Sequence, residues 1–235
     1  MRPLERPHPV RRLLRAFVSA DSYGLVVLLI LVSYCMAVSF TGPRSSGLVL
    51  FVQIATVWFA LRTSRVHRAT LRVAVVLMAV AGVAGIIGVA LPDASPVFVV
   101  GMGTVLYLLA PFAIVRHLTR RGGVDQEAML GAVAAYLLAG MFFAFLYRTI
   151  GEVQTTPFFG AGGDGTMAQV LFFSFVTLTT TGYGNLVPAD NPGQTAAVIE
   201  MINGQLFLII GVGKLVSEWR PPRWRTEQAG REGGK

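Results

Sequence analysis

Seven consecutive residues, Thr179-Thr180-Thr181-Gly182-Tyr183-Gly184-Asn185, carry most of the chemistry legible in this chain. They form a polar run between two long apolar segments. In an apolar surrounding, a backbone carbonyl left without a partner costs several kcal/mol. A run rich in such groups therefore needs a reason to be there. Glycine adopts backbone angles that other residues resist, and two glycines alternate here with larger residues. A Gly-x-Gly strip can turn successive carbonyls to one side, and the threonines before it add hydroxyls. Rings of such oxygens stacked along an axis can replace the water around a dehydrated cation. The plainer reading is a Gly/Thr turn inside a membrane protein. The surrounding segments decide between the two.

Apolar helices must position this strip. Of the 235 residues, 54% are apolar and 14% charged, and the charges cluster between long uncharged runs. The formal charge of +8 does not mark a nucleic-acid binder, which needs a basic face on a folded polar domain. The basic residues flank apolar runs instead. The single cysteine, Cys35, excludes an intrachain disulfide and a multi-thiolate metal site. Six apolar runs, at 23–40, 47–61, 73–91, 97–115, 128–147 and 195–216, mostly approach the ~20 residues that span a bilayer as a helix. The second is short and is expected to continue as helix into its Arg-rich flank, whose side chains can snorkel. The first follows an Arg-rich stretch as a signal peptide would, but no Ala-x-Ala site follows it, so a retained helix is expected.

With the N-terminus in the cytoplasm and six crossings, eighteen of the twenty basic residues fall on the cytoplasmic side, leaving Arg44 and Arg148 outside. Positive charge kept inside sets orientation, so both termini are expected to be cytoplasmic. That topology puts 148–165 outside the cell as an exposed turret. Thr166-Met167-Ala168-Gln169 then reads as a capping box, opening a short apolar helix over 167–178. Such a helix is too short to span and must enter from outside and return, buried in protein. Its C-terminal, partially negative end would face the membrane centre and favour a cation there.

Together these residues resemble the pore of the tetrameric potassium channel superfamily, whose filter is usually written TVGYGD. The likeness covers roughly 128–217 and is nearest to the small bacterial members. It implies an all-α membrane protein with six transmembrane helices, a re-entrant pore helix and a selectivity filter, in a topology like that of voltage-gated channels. The chain would divide into a cytoplasmic tail (1–22), a four-helix transmembrane domain without a charged sensor helix (23–125), a potassium channel pore domain (126–217) and a cytoplasmic C-terminal tail (218–235). The resemblance further implies that Thr180, through hydroxyl and carbonyl, and Thr181, Gly182 and Tyr183, through carbonyls, bind potassium, while Gly184 completes the outer mouth. Gly204 stands at the spacing of the family's gating hinge. Close helix packing is the alternative there, and Gly211 and Gly213 are rival bending points. Potassium is the permeant ligand and no cofactor is implied. One strip supplies a quarter of a closed ring, so a homotetramer is required.

The sequence departs from the family in two linked places. Many members carry a tryptophan pair in the pore helix, one indole N–H bonding an aspartate after the filter. Phe172-Phe173 and Asn185 stand at those positions, and phenylalanine has no donor. Filter support is therefore expected from Phe172 and Phe173 packing on Tyr183, with Thr179 and Asn185 flanking the strip. Glu200, an ionisable residue in the last run, is a functional candidate by position. A carboxyl bonded to the pore helix or to a neighbouring subunit is the favoured reading.

The fourth run carries no charge, so strong voltage gating is not expected. Arg62, Arg65, Arg68 and Arg72 have sensor-like spacing and would share one helical face, but topology needs a positive loop there. Anionic-lipid contacts are expected at Arg62, Arg65 and Arg68, and at Arg220, Arg223 and Arg225 beside Trp219 and Trp224. Passive potassium transport is the leading function. A less selective cation channel, an ion carrier and a non-conducting regulatory subunit are the alternatives. An enzyme is not indicated, since His8, His67 and His117 lie in flanking stretches without a nucleophile–base spacing. The compact Ala/Gly/Arg-rich chain points to a bacterial inner (plasma) membrane.

Overall fold

The computed structural model describes residues 23–39, 45–64, 68–90, 96–120 and 126–218. Arg65, Arg220, Arg223 and Arg225, with both expected tails apart from residue 218, lie outside the described residues. Long apolar runs must satisfy their own backbone groups in lipid, which selects helices. Helices are what form: α1 (Tyr23–Ser39), α2 (Ser45–Thr63), α3 (Arg68–Ala90), α4 (Pro96–Arg120), α5 (Gln126–Val153), α6 (Met167–Leu178) and α7 (Asn191–Glu218). A single 3-10 turn occupies Gly160–Gly162, and no strand occurs among the described residues. Within α4, α5 and α7, the stretches Val100–Thr119, Glu127–Val153 and Asn191–Gly211 are long and apolar enough to cross a membrane. The apolar stretches Tyr23–Ser39, Leu48–Thr63 and Leu71–Ile87 of the first three helices are shorter. Length and composition alone thus give three crossings in an all-helical membrane protein.

Two expectations need correction. Arg62 does not share one helix with Arg68 and Arg72. The second helix ends at Thr63, and Arg68 and Arg72 belong to α3. At Ser64 the hydroxyl and the N–H both return to the Ala60 carbonyl, at 2.7 and 3.0 Å. A serine bonding back to its own turn in this way offers the backbone an alternative to continuing the helix. The outer segment is also less exposed than its glycines imply. Residues 148–153 belong to α5, and Phe158 and Phe159 are buried. Their rings join an aromatic cluster with Tyr147 and Phe173. The backbone follows them inward: Phe158 N–H donates to Asp164 Oδ1 at 2.9 Å, and Ala189 N–H donates to the Phe158 carbonyl at 2.9 Å. Arg148 closes the loop by donating to the Gly165 carbonyl at 3.0 Å while pairing with Glu152 at 2.6 Å.

At the centre lies α5, packed against α1, α4, α6 and α7. Its joint with α4 is the most extensive. There the Tyr107 and Phe145 rings lie 5.5 Å apart, and the Thr104 and Thr149 hydroxyls meet at 3.0 Å. Buried hydroxyls cost free energy unless paired, and these are paired. α1 reaches α4 through the hydroxyls of Ser33 and Tyr107, 2.7 Å apart. It also reaches α6, where Tyr34 meets the Phe175 ring edge-on at 5.9 Å.

Candidate functional site

The site begins with a well-capped short helix. Thr166 Oγ1 accepts from Gln169 N–H at 3.3 Å, and Gln169 Oε1 accepts from Thr166 N–H at 2.8 Å, so the expected capping box is present. From Met167 to Leu178, α6 matches the expected bounds. Its last carbonyls would be orphaned. The chain beyond turns its N–H groups back onto them instead: Thr179 donates to the Phe175 carbonyl, Thr180 to Thr177, and Thr181 to Val176, at 2.9–3.0 Å. The Thr179 hydroxyl adds a bond to Phe175 O at 2.7 Å. These donors point inward, while the carbonyls of Thr180 to Gly184 accept nothing among the described residues.

Backbone angles explain that polarity. Positive φ occurs at Thr180 (57°), Gly182 (58°) and Gly184 (77°), but not at Thr181 or Tyr183 between them. Left-handed conformation at every second residue is what brings successive carbonyls to one side. A Cβ placed on Gly182 or Gly184 meets nothing within 4 Å, so both glycines serve conformation and not space. Thr180 is the one non-glycine residue with positive φ among those described. For a β-branched side chain that conformation costs about 1–3 kcal/mol, and such strain collects at functional sites.

The whole strip from Thr179 to Asn185 is exposed in the single chain, Tyr183 by 70%. Of the expected supports, Phe172 stacks on the Tyr183 ring at 5.9 Å and 8° between planes. Phe173 does not brace Tyr183. Neighbouring helical side chains diverge by ~100°, and Phe173 points into the aromatic cluster behind the helix, 5.0 Å from Tyr147 and 5.6 Å from Phe159. The Thr179 and Thr181 hydroxyls meet at 2.9 Å, and Asn185 is exposed.

The last helix backs the strip. At Gly204 an added Cβ would sit 2.2 Å from the Leu178 carbonyl oxygen. Glycine is thus required for close approach, while α7 runs as helix from Asn191 to Glu218 through Gly204, Gly211 and Gly213. The same carbonyl accepts from Tyr136 OH at 3.2 Å. Glu200 is fully buried. Tyr147 OH donates to its Oε2 at 2.5 Å, and Ser174 Oγ lies 2.5 Å from its Oε1 and 2.7 Å from the Gly140 carbonyl. The carboxyl therefore ties α5, α6 and α7 together, bonding the pore-side helix as expected and the outer helix as well. Sequence reasoning missed Gln205, whose Nε2 donates to Thr180 Oγ1 at 3.2 Å. The available signal was a lone long amide directly after Gly204, followed by a purely apolar stretch.

A capped short helix, an exposed strip of carbonyls without partners among the described residues, and a membrane-length helix on either side thus form one continuous unit. Residues 131–219 match the family model described as ion channel. Over 87 residues the chain is 28% identical to the inward rectifier potassium channel Kirbac3.1 of Paramagnetospirillum magnetotacticum, covering 37% of this chain and 28% of that protein. No solved structure matches. Residues 131–219 are thus similar to the ion channel family and to a stretch of a bacterial potassium channel, of whose length the chain spans little more than a quarter, 28%.

Proposed function

We propose that this protein is a subunit of a potassium-selective channel, four copies of which enclose a central pore for passive potassium transport. The alternating left-handed backbone at Thr180, Gly182 and Gly184 carries this reading. It leaves a row of carbonyls free for a cation, while the N–H groups of Thr179 to Gly182 turn back to the end of α6. Potassium binds at Thr180, Thr181, Gly182 and Tyr183, and Gly184 forms the outer mouth. Several weak carbonyl sites in series allow entry and exit without trapping. Oxygens on one edge of one chain cannot surround an ion, and the exposed strip needs neighbours. Exposed apolar residues along α7, among them Val198, Ile202 and Ile209, are the surface those neighbours cover.

All six long helices cross the inner membrane, with both termini in the cytoplasm. The short apolar stretches of α1–α3 become long enough once their snorkelling flanks are counted, and the basic residues then fall inside. Voltage gating is weak, because the helix break after Thr63 splits the arginine series and α4 carries no charge before Arg116. Anionic lipid covers the cytoplasmic arginines instead. Gly204 lets the inner helix lie against the pore helix, and bending there is opposed by the Leu178 contact. Reconstitution into potassium-loaded liposomes tests the proposal. Potassium release on adding a proton ionophore, absent with sodium and blocked by barium, is expected. Equal flux of both ions, saturation at carrier-like turnover, or no flux overturns it.

A further inference from the structure

Gln205 differs from the polar groups that precede it in this part of α7. Asn203 bonds within its own helix, Nδ2 donating to the Ile199 carbonyl at 2.9 Å. Glu200 is consumed by Tyr147 and Ser174. Gln205 alone reaches out of the helix to the strip, where its amide N–H meets Thr180 Oγ1 at 3.2 Å. Residues 206–210 are all apolar, so the amide is not part of a general polar face. Gly204 beside it sets a close approach, because α7 lies against the Leu178 carbonyl there with no room for a Cβ.

Thr180 is the residue that needs such a partner. It holds the strained left-handed conformation, and its side-chain oxygen has no other hydrogen bond among the described residues. A threonine side chain has three staggered rotamers. The one adopted here turns Oγ1 toward the Gln205 amide. An N–H donor on one lone pair selects that rotamer and leaves the second lone pair for a ligand. Building on the channel reading above, we propose that Gln205 is a positioning residue for the innermost cation site. Its amide holds the Thr180 hydroxyl toward the ion, so the inner end of the strip depends on where α7 sits.

Barium, a divalent ion close to potassium in size, is the probe, applied from the cytoplasmic side of channels in planar bilayers. Gln205→Leu frees the Thr180 rotamer and weakens block by about three- to tenfold, the range spanned by one lost rotamer restriction and one lost hydrogen bond. Gln205→Glu keeps a partner for the hydroxyl and adds negative charge, so block tightens. In a Thr180→Val background, Gln205→Leu should change block less than twofold or so, because coupled residues lose their coupling once one is removed. Calorimetric titration of barium into the purified protein supplies the same comparison for any variant that does not conduct. Equal block of wild type and Gln205→Leu, or an undiminished effect in the Thr180→Val background, overturns the proposal. Wild-type protein that carries potassium while Gln205→Leu changes nothing leaves the channel reading standing and removes only this one. Wild-type protein that carries no potassium removes both.

Discussion

Phe172 carries the outer half of the strip on one ring face, and nothing on that face is a hydrogen-bond donor. Aromatic stacking contributes about 0.5–1.5 kcal/mol beyond area burial, less than a charge-assisted bond to a buried carboxylate. A strip braced this way should inactivate readily. Phe172→Trp combined with Asn185→Asp supplies donor and acceptor together. Macroscopic currents should then decay at least severalfold more slowly, and unchanged decay in patch recordings would show that stacking is not the weak point. Phe173 was expected to share this work, yet its ring is buried among Tyr147, Phe158 and Phe159. Glu200 makes a second prediction at this scale. Glu200→Leu strands the buried Tyr147 hydroxyl, which costs about 1–3 kcal/mol, and it also unties the pore-side helix. Glu200→Gln keeps both oxygen and donor capacity and should cost clearly less. Thermal unfolding in detergent reads the order of the two, and a leucine variant as stable as the glutamine one would contradict it.

Among the elements, α6 was the most legible. Its Thr-x-x-Gln start and apolar length are local properties, so the bounds Met167–Leu178 and the capping box followed from sequence. Thr166→Ala should destabilise this helix by about 1 kcal/mol, seen as faster amide hydrogen exchange over 167–172. The close approach of α7 was only half legible. Spacing singled out Gly204, but whether it bends or packs depends on the neighbouring helix. The Leu178 oxygen supplies the physical reason for packing. Gly204→Ala forces backbone apart rather than a flexible side chain, so it should cost at least the ~1–3 kcal/mol typical of overpacking and lower the yield of assembled channel on size exclusion. A variant that assembles normally would mean that α7 has another seat. What sequence could not give was long-range pairing. The partners of Glu200 lie 26 and 53 residues away, and Gln205 meets Thr180 across 25 residues. Likewise, the buried Phe158 and Phe159 sit in a glycine-rich loop that reads locally as exposed, and only the cluster around Tyr147 draws them in.

For the molecule as a whole, composition fixed the class, since long apolar runs leave helices as the only lipid-compatible form. The six crossings proposed above rest on charge placement, since length and composition give three and α1–α3 are individually short. Voltage response is a property at this scale, and the weak voltage gating proposed above makes a prediction about it. Replacing Arg62, Arg68 and Arg72 by Gln should leave the conductance–voltage slope unchanged, since one charge moved through the field is worth ~2.3 kcal/mol per 100 mV and none is placed to move. A flattened slope would return these arginines to a sensing role. Mild crosslinking of purified protein should build a ladder ending at four subunits.

The joint between α4 and α5 has a further meaning. Tyr107 with Phe145, and Thr104 with Thr149, bind the peripheral helices to the outer helix of the same polypeptide, and only residues 121–125 lie between them. Each polypeptide therefore finishes its own periphery before meeting another. In the tetramer proposed above, assembly is the docking of four wedges whose described helices are already packed on one another. Dissociation then requires no unfolding, and a mixture of two tagged populations should scramble by simple encounter.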